Sequence, residues 1–159
     1  MEEAKKKIDS NSSELCDIDL SDIPIRALRM KSRTLLSKCL NAIQIIPSES
    51  GLPRDYRGIA DLFGLDNPIV STIERSEDPI KVILENVEKE LKLNRSTGVK
   101  VPYSISDLIQ HLEYIERFDV IDDCLQLFIE DGKYYVNKIN KLSCKGNILV
   151  LYINLYFCS

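Results

Sequence analysis

The stretch DYRGIADLFGLDNPIVSTIERSEDP, residues 55–79, decides how this sequence folds. Its first part places four apolar residues at helical spacing: Tyr56, Ile59, Ala60 and Phe63. Gly64 follows, and glycine is common just past the end of a helix because it tolerates left-handed backbone. An aspartate with proline one or two residues after it is typical of a helix start. This pattern occurs twice, at Asp66 in DNP (66–68) and at Asp78 in EDP (77–79). The stretch therefore predicts one short helix and the beginnings of two more.

Apolar residues continue at helical spacing on both sides of this stretch. The predicted first helix has an apolar face made of Leu28, Leu35, Leu36, Cys39, Leu40 and Ile43. The fourth presents Ile80, Ile83, Leu84, Val87 and Leu91, and the fifth presents Ile105, Leu108, Ile109, Leu112 and Ile115. The sixth presents Ile121, Cys124, Leu125 and Phe128, with Asp119 as its predicted cap. We expect an all-α fold of six amphipathic helices between residues 26 and 130, with a loop at 94–103 and no strands.

The same periodicity predicts which side chains fill the core and where the domain ends. The predicted core consists of Leu28, Leu36, Leu40, Tyr56, Ile59, Phe63, Ile73, Ile83, Val87, Leu108, Leu112, Cys124 and Phe128. Residues 1–21 have few large apolar groups to bury and are predicted to be a disordered leader. Residues 22–136 form the helical domain, and residues 137–159 are an atypical apolar tail. Its apolar run at 148–158 is shorter than the roughly 20 residues that span a bilayer, so no membrane span is expected.

The composition argues against several classes of function. A net charge of −4, from 21 basic and 25 acidic side chains, gives no reason to expect nucleic-acid binding. Five cysteines, an odd number with no CxxC pair, are typical of reduced thiols in a cytoplasmic protein. The single histidine, His111, lies one step off an apolar face and is predicted at the surface or its boundary.

Catalytic chemistry finds little support in the residues. One histidine cannot supply a two-His metal site, and no glycine-rich phosphate loop is present, so no cofactor is expected. Paired carboxylates for hydrolysis are the one enzymatic alternative, in the acidic cluster Glu113, Glu116, Asp119, Asp122 and Asp123. A solvated helix face is the favoured interpretation of that cluster. We therefore predict that the protein is not an enzyme.

The middle of the sequence resembles a known fold. DYRGIADLFGL at 55–65, then an acidic cap, IVSTIERSEDP at 69–79 and a long helix, resembles the middle of a death domain, with Tyr56 where that superfamily usually has Trp. The stretches IPIRALRMKSRTLLSKCLN (23–41) and DVIDDCLQLFIEDGKYYV (119–136) resemble the first and last helices of one family. That family is the myeloid differentiation primary response adaptor of Toll and interleukin-1 receptor signalling, with insect members as the expected source. The resemblance covers about residues 22–136, with one insertion near 89–103.

The resemblance implies a fold and a set of partners. The fold is a six-helix antiparallel bundle of Greek-key order, whose copies stack through complementary charged patches. The expected function is an adaptor that assembles a signalling oligomer with the death domains of a Tube-like adaptor and of Pelle-like or interleukin-1 receptor-associated kinases. Because that family's adaptor continues into a receptor-binding domain with no counterpart here, two alternatives stay open. One is a truncated decoy form, and the other is a different death-domain protein such as a kinase-associated adaptor.

Charged residues of the second to fourth helices are the candidate protein-interaction site. The resemblance implies that Asp61 faces partner subunits, as an acidic residue of the family's second helix does. Location alone adds Arg57, Glu74, Arg75 and Asp78, each with an ordinary solvated charge as the alternative. Asp61 is expected to be exposed, and a pair with Arg57 one turn earlier would instead make it structural. A rigid bundle with opposite charges on different faces can associate head to tail into open stacks.

Overall fold

A computed structural model describes residues 18–144 and shows a bundle of six α-helices in that range. The helices are α1 (Met30–Leu40), α2 (Tyr56–Leu62), α3 (Asn67–Arg75), α4 (Pro79–Val87), α5 (Ile105–Tyr114) and α6 (Phe118–Cys144). A single 3-10 turn, Ile25–Ala27, precedes α1, and two short strands, β1 (Leu91–Leu93) and β2 (Lys100–Pro102), lie between α4 and α5. The predicted six-helix, mainly α architecture is therefore confirmed for the described part of the chain.

Side-chain caps explain where four of the helices begin. The Asp55 carboxylate accepts a hydrogen bond from the Arg57 amide at the start of α2. Asp66 and Asp78 cap α3 and α4 in the same way, each with proline in the first turn of the helix. Ser104 and Asp107 form a reciprocal capping box at the start of α5. The polar residues between the apolar stripes thus satisfy helix amides that would otherwise lack partners.

The core forms where the apolar faces of the helices meet. Helix α1 packs against α4 and α6, α2 packs against α4 and α5, and α3 lies on α4 while α5 lies on α6. All thirteen side chains of the predicted core are buried. Cys124 is among them, and burial raises the pKa of its thiol to about 12, so the thiol is neutral at physiological pH. Helical periodicity therefore placed the centre of the domain correctly.

The edges of the predicted helices need correction. Helix α1 starts at Met30, after the 3-10 turn, and ends at Leu40, so Ile43 lies in the following loop and is 62% exposed. Leu125 lies on the outer side of α6 and is 39% exposed. Asp119 sits inside the first turn of α6 and not at its cap, and its carboxylate pairs with the Arg117 side chain at 2.9 Å. Ile43 shows that apolar spacing can continue past the end of a helix, whereas Asp119 and Leu125 lie within α6 but do not have the capping and inward positions that were predicted.

The predicted loop between the fourth and fifth helices is a β-hairpin, which corrects the expectation of no strands. Strands β1 and β2 are antiparallel, with Leu91 opposite Pro102, Lys92 opposite Val101 and Leu93 opposite Lys100. Leu91 was expected on the inner face of the fourth helix, but α4 ends at Val87 and the Leu91 side chain is 46% exposed. The insertion noted in the sequence is thus a folded element.

Both predicted domain boundaries shift outward. Ile18 and Leu20, assigned to the leader, are half-buried against the core. They lie over Gly132 of α6, where an added Cβ would be 3.3 Å from a methyl group of each. Helix α6 runs through the predicted boundary at residue 136 and ends at Cys144. The rest of the predicted leader, residues 1–17, and the apolar run of the tail lie outside the described residues.

Candidate protein-interaction surface

Asp61 is an exposed carboxylate on the outer side of α2. The helix turns Ile59 and Ala60 into the core, and the adjoining Phe63 is buried as well, which leaves Asp61 facing solvent as predicted. Among residues 18–144 its carboxylate forms no salt bridge, and the pair with Arg57 does not form. The structure therefore gives Asp61 a free negative charge on a helix that is fixed by its buried face.

Arg57 is held by a buried carboxylate two residues before it. The Asp55 side chain is fully buried and lies 2.7 Å from one guanidinium nitrogen of Arg57, which is itself 39% exposed. Asp55 also accepts a 2.8 Å hydrogen bond from the Gln44 amide, so it connects the loop after α1 to the start of α2. Burial alone would raise the pKa of Asp55, but the bonds from Arg57 and Gln44 outweigh it and lower that pKa. Arg57 thus positions α2 while part of its guanidinium stays accessible.

Glu74 and Arg75 are both exposed but point to different neighbours. The pKa of Arg57 is raised mainly by its hydrogen bond to Asp55, and the charge of Glu74 adds a smaller effect in the same direction. Arg75 instead lines a shallow groove beside α3 together with Thr72 and Val82. We define the α2–α3 surface as Arg57, Asp61 and Glu74, and Arg75 is assigned to the groove.

Asp78 fastens α4 to α1. One oxygen of its carboxylate accepts hydrogen bonds from the Ser37 hydroxyl and the Asn41 amide, both at 2.8 Å, and from the Lys81 backbone at 3.2 Å. The Asn41 side chain in turn accepts a 3.0 Å bond from the Ile80 amide. Burial would raise the pKa of Asp78, yet the bonds from Asn41 and Ser37 prevail and lower it. The structure gives this half-buried carboxylate an internal role in positioning α4.

The sequence analysis missed a charged network that fixes the loop between α1 and α2. Glu116, in a left-handed conformation with φ of 59°, accepts 2.8 Å hydrogen bonds from the Glu49 amide and the Arg54 guanidinium. Arg117 donates to the Arg54 carbonyl at 2.8 Å and to the Cys39 carbonyl at 3.2 Å. No sequence pattern marks these contacts because their partners are more than sixty residues apart. The Asp55 cap, by contrast, could have been recognised from its place before the helix.

No protein-family model matches the chain. Among the described residues, none of the helices combines the length and the apolar character needed to cross a membrane. The functional argument therefore depends on the fold and on the charges of the α2–α3 surface.

Proposed function

We propose that this chain is a death-domain adaptor, which assembles a signalling oligomer by binding the death domains of other proteins. The observation that carries the proposal is the free carboxylate of Asp61 on a helix whose other face is buried. The six-helix bundle and the resemblance of residues 55–79 to the middle of a death domain support it. The Greek-key order of the bundle is part of the proposal.

The proposed partners are cytoplasmic death domains of the Toll and interleukin-1 receptor pathways. They are a Tube-like adaptor and Pelle-like or interleukin-1 receptor-associated kinases, together with further copies of this chain. Asp61 and Glu74 would lie opposite basic side chains of a partner, and the accessible part of Arg57 would lie opposite an acidic one. Complementary charges of this kind set the orientation of two rigid surfaces and exclude partners with the wrong pattern.

The contacts of Asp55 and Asp78 suggest how such a surface could bind without rearranging. Asp55 fixes the start of α2, and Asp78 fixes the start of α4 on α1, so the exposed charges between them are held in place before a partner arrives. A surface ordered in advance loses less conformational entropy on binding. The proposed adaptor therefore acts as a rigid module that recruits partners, with specificity set by the positions of charges.

The test is direct binding between the full chain and the purified death domains of the proposed partners. Isothermal titration calorimetry and size-exclusion chromatography should detect complexes that weaken as salt is raised, because screening acts on exposed charge pairs. Absence of a complex with every proposed partner at low salt would contradict the proposal.

A further inference from the structure

The hairpin between α4 and α5 is folded with its leucines facing solvent. Lys92 lies on the inner side of β1, where its ammonium is 2.5 Å from the Asp107 carboxylate of α5. Because side chains alternate along a strand, this ion pair turns Leu91 and Leu93 outward, with 46% and 61% of their areas exposed. The outer side of the two-stranded sheet is thus an apolar face with nothing packed on it in the described part of the chain.

Basic side chains accompany this apolar face. Arg95 in the turn and Lys100 on β2 are exposed, and Lys100 stands opposite Leu93 in the register of the sheet. We call Leu91, Leu93, Arg95 and Lys100 the hairpin face. An isolated two-stranded hairpin is marginally stable in water, so a partner that covers its apolar side would also stabilise the strands.

A second surface, at the far end of α5, carries the complementary character. Helix α5 starts directly after the hairpin and has ten residues, which places its far end about 15 Å away. There Tyr114 and Phe118 are each 56% exposed. The acidic side chains around them are exposed too, namely Glu113, Asp119, Asp122 and Asp123. We call this group of aromatic and acidic residues the α5–α6 end.

We propose that the hairpin face of one copy docks on the α5–α6 end of a second copy, which joins the chains head to tail. The two leucines would pack on Tyr114 and Phe118, while Arg95 and Lys100 would face the surrounding carboxylates. A hairpin-to-hairpin contact would instead bring basic groups together, and it is disfavoured by like-charge repulsion. Since the two surfaces differ and do not share residues, each added copy leaves a free surface for the next.

Charge favours a second copy of this chain over the other partners that an apolar and basic face could bind. The chain carries a net charge of −4, which opposes binding to an anionic membrane, and its own α5–α6 end supplies the acidic and aromatic partner that the face requires. The proposal rests on the proposed function only in treating the bundle as an assembling module. It uses none of the residues of the α2–α3 surface. The face is small, so the contact should be weak and transient.

Sedimentation velocity of the full chain tests the proposal. Between about 1 and 300 µM, a range suited to weak complexes, the wild-type protein should sediment faster as concentration rises, and added salt should reduce the effect. Arg95→Glu with Lys100→Glu should weaken self-association at least about tenfold, as should Asp122→Lys with Asp123→Lys. An equimolar mixture of these two variants should associate again, because the intact hairpin of one meets the intact acidic end of the other.

Controls make each outcome decisive. Lys31→Glu with Lys138→Glu changes the net charge as the hairpin variant does, at exposed sites away from both surfaces, and should associate like wild type. Leu93→Ser keeps every charge and should still weaken association. A wild-type chain that stays monomeric over the whole range, or a mixture that fails to associate, would overturn the proposal. Binding of the wild type to vesicles of phosphatidylcholine and phosphatidylserine in place of self-association would also overturn it. In the Asp61→Lys background, the self-association that remains should still be lost on charge reversal of Arg95 and Lys100, so the contribution of the hairpin face is measured separately from that of the α2–α3 surface.

Discussion

Replacing Asp61 with lysine should abolish binding to partner death domains while leaving the fold intact. Asp61 is exposed and forms no salt bridge within residues 18–144, so the folded state loses no contact when the carboxylate is removed. It lies in the last turn of α2, where a positive charge interacts better with the helix dipole than a negative one does. We expect the free energy of unfolding to change by no more than about 0.5 kcal/mol, as for other exposed substitutions.

The same substitution has a large expected effect at an interface. A unit charge pair about 4 Å apart, at an effective dielectric constant of about 20, is worth about 4 kcal/mol before desolvation is counted. Reversing one charge turns that attraction into repulsion, and the measured net cost of such a contact is several kcal/mol. A loss of about 3 kcal/mol corresponds to binding that is more than a hundredfold weaker.

The assay separates the two effects at a single residue. Circular dichroism and a thermal melt report the fold, and calorimetric titration with the partner death domain reports binding. Glu85→Lys is the matched control, because Glu85 is an exposed acidic residue on α4 outside the α2–α3 surface. Wild-type affinity for Asp61→Lys would remove Asp61 from the interface. A large loss of thermal stability would show that the carboxylate is structural, and the interpretation of α2 would be mistaken.

Three further predictions concern the stability of the bundle. Gly58→Ala should lower the free energy of unfolding by about 1–3 kcal/mol in a denaturant titration, since an added Cβ would lie 2.1 Å from the Pro53 carbonyl oxygen and the backbone must shift. Unchanged stability would mean that the backbone at Pro53 can shift without loss of free energy. Asp131→Ala should lower the free energy of unfolding by about 1–3 kcal/mol in the same assay, because the buried carboxylate accepts hydrogen bonds from Arg29 at 2.7 Å and Ser32 at 2.5 Å. A smaller loss of stability would mean that these hydrogen bonds contribute little to it. Burial lowers the pKa of His111, although the charge of Asp107 acts in the opposite direction. The folded state therefore favours the neutral imidazole. The stabilising contribution of His111 is present in full above the unfolded pKa of about 6.5 and is lost as pH falls below that value. The melting temperature should therefore drop between about pH 6.5 and 5 in the wild type and less in His111→Gln, and equal slopes would contradict this assignment.

The core was predictable from the sequence because its signal is local. Helical spacing and capping residues lie within a few positions of one another, so Ile59 and Phe63 could be placed inside and Asp61 outside without tertiary information. The end of α1 shows where this reasoning stops. The apolar spacing continues to Ile43, but the helix ends at Leu40. The next side chain, Asn41, donates a hydrogen bond to the Asp78 carboxylate and accepts one from the Ile80 amide, both far along the chain. Periodicity within one helix contains no information about that contact.

The hairpin escaped prediction for a different reason. Each strand has only three residues, which is too short for a period of two to stand out from a helical pattern. Lys92 pairs with Asp107, fifteen positions later in the chain, on the side of β1 that faces α5, and the two leucines beside it lie on the outer side. A reading by hydrophobicity alone would place the leucines inside. The side of this hairpin that faces solvent therefore involves a contact with α5 that a local sequence pattern does not contain.

The candidate interaction residues divide according to whether their charge is already used within the molecule. Arg57 and Asp78 are engaged by Asp55, Ser37 and Asn41, and they determine where α2 and α4 begin. Asp61 is exposed on α2, and Glu74 is exposed on α3, which lies between α2 and α4 in the chain. Sequence analysis could select all four as charged residues of neighbouring helices, but it could not separate these roles, because the separation depends on buried partners. If the proposed function is correct, changes at the engaged residues should alter stability and binding together, whereas changes at the free residues should alter binding alone.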